Sequence, residues 1–318
     1  MIRYYAKVNG QLTELQESEA SCWINISPPF SREELENFSE KFLVPIDFLT
    51  DPLDNDERPR YERDEDVRLI IFSTPVLNNG IDRENQSIYL TVPIGIIMTI
   101  EHVITISGID NPVIEQFLNE RVKNFDPADD RRFVLQILEQ NVNRFLGSLK
   151  KLNHKRNVIE NELYESSRNI EIRQLLNIEK SLVYFVNGLN ANELLKMKMK
   201  RTDFLHIKED DDLLDLLEDL IIDSSQALDM AKVYTDILGG TMDAYASIIS
   251  NNLNIVMKRL TTITIVLMVP TLVASLFGMN VKIPYFNTEH EGSFMLILLI
   301  SISLSAVTGW YFRRWKFF

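Results

Sequence analysis

Starting at Asn254, steps of three and four residues visit Met257, Thr261, Thr264, Met268, Thr271, Ser275 and Gly278, and every residue on this line is polar, small or a thioether. Off the line, Ile255, Val256, Ile263, Ile265, Val266, Leu267, Val269, Leu272 and Val273 are aliphatic. On a helix such a line is one narrow face. Its hydroxyl and amide groups suit noncovalent chemistry, the holding of water or a hydrated solute, rather than bond making. Small and hydroxylated residues also mediate helix packing in lipid, which accounts for two or three such positions. Seven steps that reach back to Asn254, beside charged sequence, favour a wet lining. One chain with one such face cannot enclose a channel, so copies of the helix must associate around an axis.

The elements that carry this line are membrane-like. Leu260 to Val281 is 22 residues without a charge and Gly292 to Phe312 is 21, each matching the roughly 20 apolar residues that a helix needs to cross a bilayer. Lys258 and Arg259 precede the first span, and Arg313, Arg314 and Lys316 follow the second; the loop between has Lys282 against Glu289 and Glu291. Positive flanks mark the cytoplasmic side, so a multi-pass protein of the cell membrane is expected, with both termini cytoplasmic and residues 279–293 outside. Trp310, Tyr311 and Trp315 are placed as aromatic anchors at the inner interface.

Composition agrees with a chain in two solvents. The 318 residues hold 33 Lys and Arg against 46 Asp and Glu, a net charge of −13 that argues against a nucleic-acid partner. Residues 251–318 contain six basic residues and two acidic ones, a net of +4, which leaves −17 for residues 1–250. The single cysteine, Cys22, excludes a disulfide framework and reads as a small buried hydrophobe. There is no Gly-rich phosphate loop, His-Glu-x-x-His or nucleophile elbow, and the four histidines, His102, His154, His206 and His290, show no ligand spacing. An enzyme is therefore not expected.

The first 125 residues are mixed. Ile2 to Val8, Cys22 to Ile26, Val67 to Pro75, Ser87 to Val92 and Ile94 to Ser107 read as strands. Ser31 followed by Glu34 resembles a capping box opening a helix through Phe42, and Asn111 to Val122 reads as another helix. Beyond residue 129 there is no proline until Pro270, and Leu135, Leu138, Val142, Phe145, Leu149, Leu152, Ile159 and Leu163 recur at steps of three and four, with Arg156 in the missing position. Ile170 to Ile207 and Asp211 to Leu238 give further helical stretches. The acidic run Glu209 to Asp212 is either a cation-attracting surface or an ordinary helix N-terminus, and Gly239-Gly240 either a flex point or a close helix contact.

The expected fold is an α+β membrane protein, in which an N-terminal cytoplasmic α/β domain (1–125) precedes a long antiparallel helical hairpin (126–223). A stalk helix then continues into the first transmembrane helix (224–278). An external loop (279–293), a second transmembrane helix (294–312) and a basic cytoplasmic tail (313–318) complete it.

The polar line ends at Gly278-Met279-Asn280, and a GMN tripeptide at the end of the first of two C-terminal spans resembles the CorA magnesium transporter family. The resemblance covers essentially the whole chain and is densest from Asp243 to Asn280. It implies a homopentamer with the stalk helix lining the pore and Asn280 in a ring at the external mouth. Thr271 and Met268 match pore positions farther in, and Leu260, Met257 and Asn254 match the hydrophobic constriction and inner mouth; Leu260 lies one position off the line. Asp243 matches the acidic stalk position. Asp51-Pro52-Leu53-Asp54 with Arg58-Pro59 resembles the segment that carries its intersubunit partner, Asp51, so these two aspartates are the expected regulatory metal ligands. Phe277 stands where the family usually has tyrosine, and Tyr285 replaces the acidic residue that often follows Pro284.

The resemblance implies transport of Mg2+, held with its waters because magnesium dehydrates reluctantly. Asparagine and hydroxyl oxygens at Asn280, Thr261, Thr264, Thr271 and Ser275 would bond those waters without stripping them, and uncharged walls hold the ion weakly enough for release. Met257 and Leu260 would close the pore by expelling water. If Asp51 of one subunit faces Asp243 of the next, cytoplasmic magnesium would hold the interface closed and gate uptake. The alternative on the same fold is another divalent ion, Co2+, Ni2+ or zinc, which Met268 and Met257 do not exclude. A membrane-anchored sensor is disfavoured by an external loop of about 15 residues.

Overall fold

The computed structural model describes residues 1–78, 86–165, 169–279 and 292–314. Two compact units divide the chain, Met1–Gly240 and Thr241–Phe318.

The first unit is built on a seven-stranded sheet of β1 (Ile2–Val8), β2 (Gln11–Leu15), β3 (Trp23–Ile26), β4 (Arg60–Asp64), β5 (Val67–Leu77), β6 (Tyr89–Met98) and β7 (Val103–Ile106) in the order β2-β1-β3-β7-β6-β5-β4. Only β3 and β7 pair in parallel. The side-chain period of two sends neighbours to opposite faces. Leu69, Ile71, Ile97, Ile104 and Ile106 pack with Leu35 and Phe38 of α1 (Arg32–Phe42) and Phe48 and Leu49 of α2 (Ile46–Thr50). Ile70, Phe72, Ile94 and Ile96 face the other way, toward α3 (Ile114–Leu118), α4 (Asp130–Glu165), α5 (Asn169–Thr202) and the start of α6 (Asp211–Phe277). A second unit holds the rest of α6 and α7 (Gly292–Arg314).

Several expectations are met at residue level. The capping box is present, Glu34 N–H donating to Ser31 Oγ (3.1 Å) and Ser31 N–H to Glu34 Oε2 (2.7 Å). Every member of the α4 seam from Leu135 to Leu163 is buried, Arg156 included at 9 % exposure. Asn141 and Asn192 both donate to the Ser73 carbonyl, and Phe145 meets Phe185 edge to face. Rising positions on α4 thus match falling ones on α5, which makes the two antiparallel.

Other boundaries differ, each for a local reason. The runs expected at Ser87 to Val92 and Ile94 to Ser107 are one strand, β6, through Pro93, then a turn and β7. Pro93 lies opposite Ser73 and has no N–H to offer the ladder. The Ser73 backbone is bonded from α5 instead: Asn192 Oδ1 accepts from Ser73 N–H (2.9 Å) and its Nδ2 donates to Ser73 C=O (2.8 Å). Strands β2 and β4 escape an apolar-pattern search because they are polar edges, QLTEL and RYERD. The helix expected over Asn111 to Val122 shrinks to α3, since Asn111 Oδ1 caps the Val113 N–H and Glu120 turns to φ 50°. Likewise α5 ends at Thr202, where Asp203 takes φ 50° and its carboxylate accepts the Ile207 N–H (2.9 Å).

The acidic run opens α6: Asp210 Oδ1 accepts the Leu213 N–H (3.1 Å), and Asp211 and Asp212 occupy the first turn, where carboxylates suit the helix dipole. From there α6 runs 67 residues without a break, through Gly239-Gly240 and Pro270. A Cβ at either glycine would meet nothing within 4 Å, so no close contact among the described residues of this chain requires them.

Candidate functional site

The polar line lies on α6 inside the second unit. From Asn254 to Ser275 it runs about 30 Å at about 1.5 Å per residue, the thickness of a hydrocarbon core. Asn254, Met257, Thr261, Thr264, Met268, Thr271, Ser275, Gly278 and Met279 are all exposed, as is Leu260 beside them. The positions that α6 shields within this unit are different ones. Thr262 and Val273 are buried, and Val266, Val269, Pro270 and Phe277 partly so. At about 100° per residue these fall on the side opposite the polar line. Packing within the chain therefore does not explain the line, which stays open to other copies or to solvent.

Hydrogen bonding gives the line a polarity. Thr264 donates its hydroxyl to the Leu260 carbonyl (2.8 Å) and Thr271 to the Leu267 carbonyl (3.3 Å). With the proton spent on the helix's own backbone, each oxygen turns lone pairs outward. The first-shell waters of a cation point their hydrogens outward, so a wall of acceptors is what a hydrated cation needs. Asn280, expected to close the line, lies outside the described residues, as do Lys282, Pro284, Tyr285, Glu289, Glu291, Trp315 and Lys316.

Both apolar helices are long enough to cross a membrane, and their apolar stretches are mostly exposed within this chain. On α7, Phe294, Leu299, Val307 and Trp310 are open, and Arg314 sits over the Trp310 ring.

Of the expected regulatory pair, Asp51 begins a 3₁₀ turn (Asp51–Leu53) in the first unit, and Asp243 is exposed on α6 in the second. Pro52 of that turn packs so closely on β6 that a Cβ on Gly95 would lie 2.5 Å from its Cγ, so glycine is required there to seat the turn. Asp51 is not an isolated carboxylate. Its Oδ2 accepts from Arg60 Nη2 (2.6 Å), while Arg60 also binds Glu57 and, through Nε, Glu62 Oε1 (2.8 Å). Burial opposes the Arg60 charge, but the carboxylates of Glu62, Glu57 and Asp51 outweigh it and raise its pKa. Three carboxylates against one guanidinium leave this cluster at −2. Sequence reasoning missed Arg60, Glu57 and Glu62, because nothing periodic links a turn to a neighbouring edge strand; Arg58-Pro59, next to them, was the available signal. Among the described residues no group of three or more His, Cys, Asp or Glu side chains is gathered to hold a metal.

One further pairing was hidden by 80 residues of separation. Cys22 Sγ lies 3.5 Å from His102 Nδ1. Burial pushes the thiol up and the imidazole down, so both are held neutral, the opposite of an activated thiolate–imidazolium pair.

Comparison with known proteins places the whole chain. A family profile described as "CorA-like Mg2+ transporter protein" matches residues 18–314. The chain is 28% identical over 309 residues to the cobalt/magnesium transport protein CorA of Methanocaldococcus jannaschii, spanning 96% of this chain and 95% of that protein. It is 22% identical over 305 residues to the protein of the same name from Thermotoga maritima, spanning 95% and 84%. Its fold matches the complete structure of the M. jannaschii CorA magnesium transporter with a TM-score of 0.84 at 24% identity, covering 100% of this chain and 99% of that one. Full-length CmaX matches at 0.70 and 18%, covering 99% and 97%. By the extent of the profile match, this chain belongs to the CorA-like Mg2+ transporter family.

Proposed function

We propose that this chain is a divalent cation transporter of the cell membrane that mediates magnesium uptake as a homopentamer, with cytoplasmic magnesium closing it. The observation that carries the reading is the polar line on α6, in which Thr264 and Thr271 turn acceptor oxygens outward, exposed on the side opposite the one α6 packs within its own unit. Five copies around an axis would turn these lines into one uncharged wall for a hydrated ion. Asn280 forms the outer ring, Ser275, Thr271, Met268, Thr264 and Thr261 the passage, and Leu260, Met257 and Asn254 the inner constriction and mouth. Residues 279–293 lie outside the cell, with the N-terminal unit and the tail inside.

For gating, the Asp51 cluster of one subunit, at −2, opposes Asp243 of the next. Repulsion separates them unless a divalent cation lies between, so bound magnesium stabilises the closed assembly. The relatives are known as cobalt/magnesium transport proteins, which supports cobalt as a second cargo, and the thioethers of Met257 and Met268 do not exclude softer ions such as Co2+ or Ni2+.

The test is purified protein in vesicles containing a magnesium dye. An inward gradient is expected to raise the signal, and Asn280→Ala to reduce uptake about tenfold or more. A dye that stays dark with the unaltered chain overturns the transport reading, and an Asn280→Ala protein as active as the parent overturns the ring. Cobalt competing with magnesium in the same vesicles decides the second cargo.

A further inference from the structure

In the first unit, a cleft of about 250 Å³ opens between α3 and one face of α4. Gln116 of α3 lines it, with Gln140, Asn143, Arg144, Ser148 and Lys151 of α4 at the three- and four-residue steps of a single helix face. In a chain with 46 acidic and 33 basic residues, this cleft holds two cations, three carboxamides and a hydroxyl, and no carboxylate lines it.

Most of these donors make no bond within the described residues; Asn143 and Lys151 are exposed, Gln116, Gln140 and Arg144 partly so, and Ser148 is buried. Arg144 gives Nε–H to the Pro75 carbonyl (2.7 Å), which pins the guanidinium to the sheet. Among the described residues, neither of its Nη groups has a hydrogen-bond partner and no carboxylate lies within 4 Å of it. Burial disfavours the Arg144 charge, with Tyr89 and Glu115 opposing at longer range. Ser148 is 5 % exposed. Thr202, Thr235, Ser181, Thr264 and Ser305 each return the hydroxyl to the carbonyl four residues back. Ser148 makes no such bond among the described residues, and neither do the polar ends of Gln116, Gln140, Asn143 and Lys151 bond anything there. A partly buried guanidinium without a counter-charge is disfavoured, and N–H and O–H donors lining one cleft with two cations match a tetrahedral oxyanion.

We propose that this cleft binds a phosphate, free or as the terminal phosphoryl group of a nucleotide, with Arg144 and Lys151 neutralising it and Ser148, Gln140 and Gln116 donating to its oxygens. The cleft belongs to the first unit, shares no residue with the polar line of α6, and the proposal stands whether or not the chain transports magnesium.

The test follows thermal unfolding of the full-length chain in detergent, with chelator present, as sodium phosphate or adenosine triphosphate replaces sodium chloride at constant ionic strength. A ligand that binds only the folded state raises the midpoint in a saturable, logarithmic way. That rise is expected with at least one of the two. Lys151→Gln and Ser148→Ala are expected to weaken apparent affinity about tenfold, the loss of one strong hydrogen bond. Lys150→Gln, which removes an exposed charge one residue away from the cleft lining, should leave it unchanged. A rise with phosphate assigns the free anion, and a rise with the nucleotide alone assigns its phosphoryl group. No saturable rise with either, or equal losses in Lys151→Gln and Lys150→Gln, overturns the proposal.

Discussion

Lys196 of α5 is 2 % exposed, and burial pushes its ammonium down to about 7, with Glu193 opposing only in part. The unfolded chain holds that proton up to its ordinary value of 10.5. Between about 7 and 10.5 the unfolded state therefore binds more protons than the folded one, so this residue makes stability rise with pH across that window and contributes no slope below it. The slope approaches about 1.4 kcal/mol per pH unit. Replacing Lys196 by Met keeps the apolar stem and removes the titration. The expected outcome is a higher unfolding midpoint at pH 7 and a flatter profile from pH 7 to 10, measured by thermal unfolding of both proteins; parallel profiles would show that Lys196 keeps its charge in the fold. On the surface, Arg60 shares its one charge among Asp51, Glu57 and Glu62, and in the proposed gate this sets how much negative charge a neighbouring subunit would meet.

Among the elements, the contact of α5 with the sheet rests on a substitution of side chain for backbone. Strand β4 pairs with β5 only as far as Ile71, and past that end the Asn192 side chain bonds both the N–H and the C=O of Ser73 while Asn141 adds a third bond. Close approach is needed for this, and a Cβ on Gly188 of α5 would come within 3.1 Å of Thr91 on β6. Asn192→Ala leaves a buried N–H without a partner and weakens the carbonyl's bonding. It is expected to cost about 2–4 kcal/mol, read as a lower denaturant midpoint; a loss below about 0.5 kcal/mol would mean that water replaces the amide. Helix α6 needs no such device. Its start is capped by Asp210, and both glycines within it sit in open space.

For the whole molecule, the proposed function depends on copies. One chain presents the polar line on α6, the Asp51 cluster and Asp243, and in that proposal each is completed by a neighbouring subunit. Asp243→Asn removes one of the opposed charges, so less magnesium is needed to relieve repulsion and the remaining ligands bind it more weakly. Because the closed form is then no longer tied to bound cation, transport in vesicles is expected to lose most of its dependence on internal magnesium, with the half-inhibiting concentration shifting several-fold. Inhibition curves that superimpose on those of the parent would remove Asp243 from the gate.

Much of this was legible beforehand because it is local and periodic. The capping box of α1, the apolar seam of α4 with Arg156 in its gap, both apolar C-terminal helices and the polar line of α6 each depend on spacings of two, three or four residues, and spacing is a property of the chain itself. The proline in β6, the two polar edge strands, the Arg60 cluster, the Cys22–His102 contact and the cleft between α3 and α4 were not legible. The decisive bonds join residues with no periodic relation, nine positions apart for Arg60 and Asp51 and 119 for Ser73 and Asn192. Sequence alone determined which faces are apolar and which are wet. Which wet groups meet, and which are left with unspent donors, was decided by the tertiary structure, because burial and hydrogen-bond satisfaction are set only when distant segments pack.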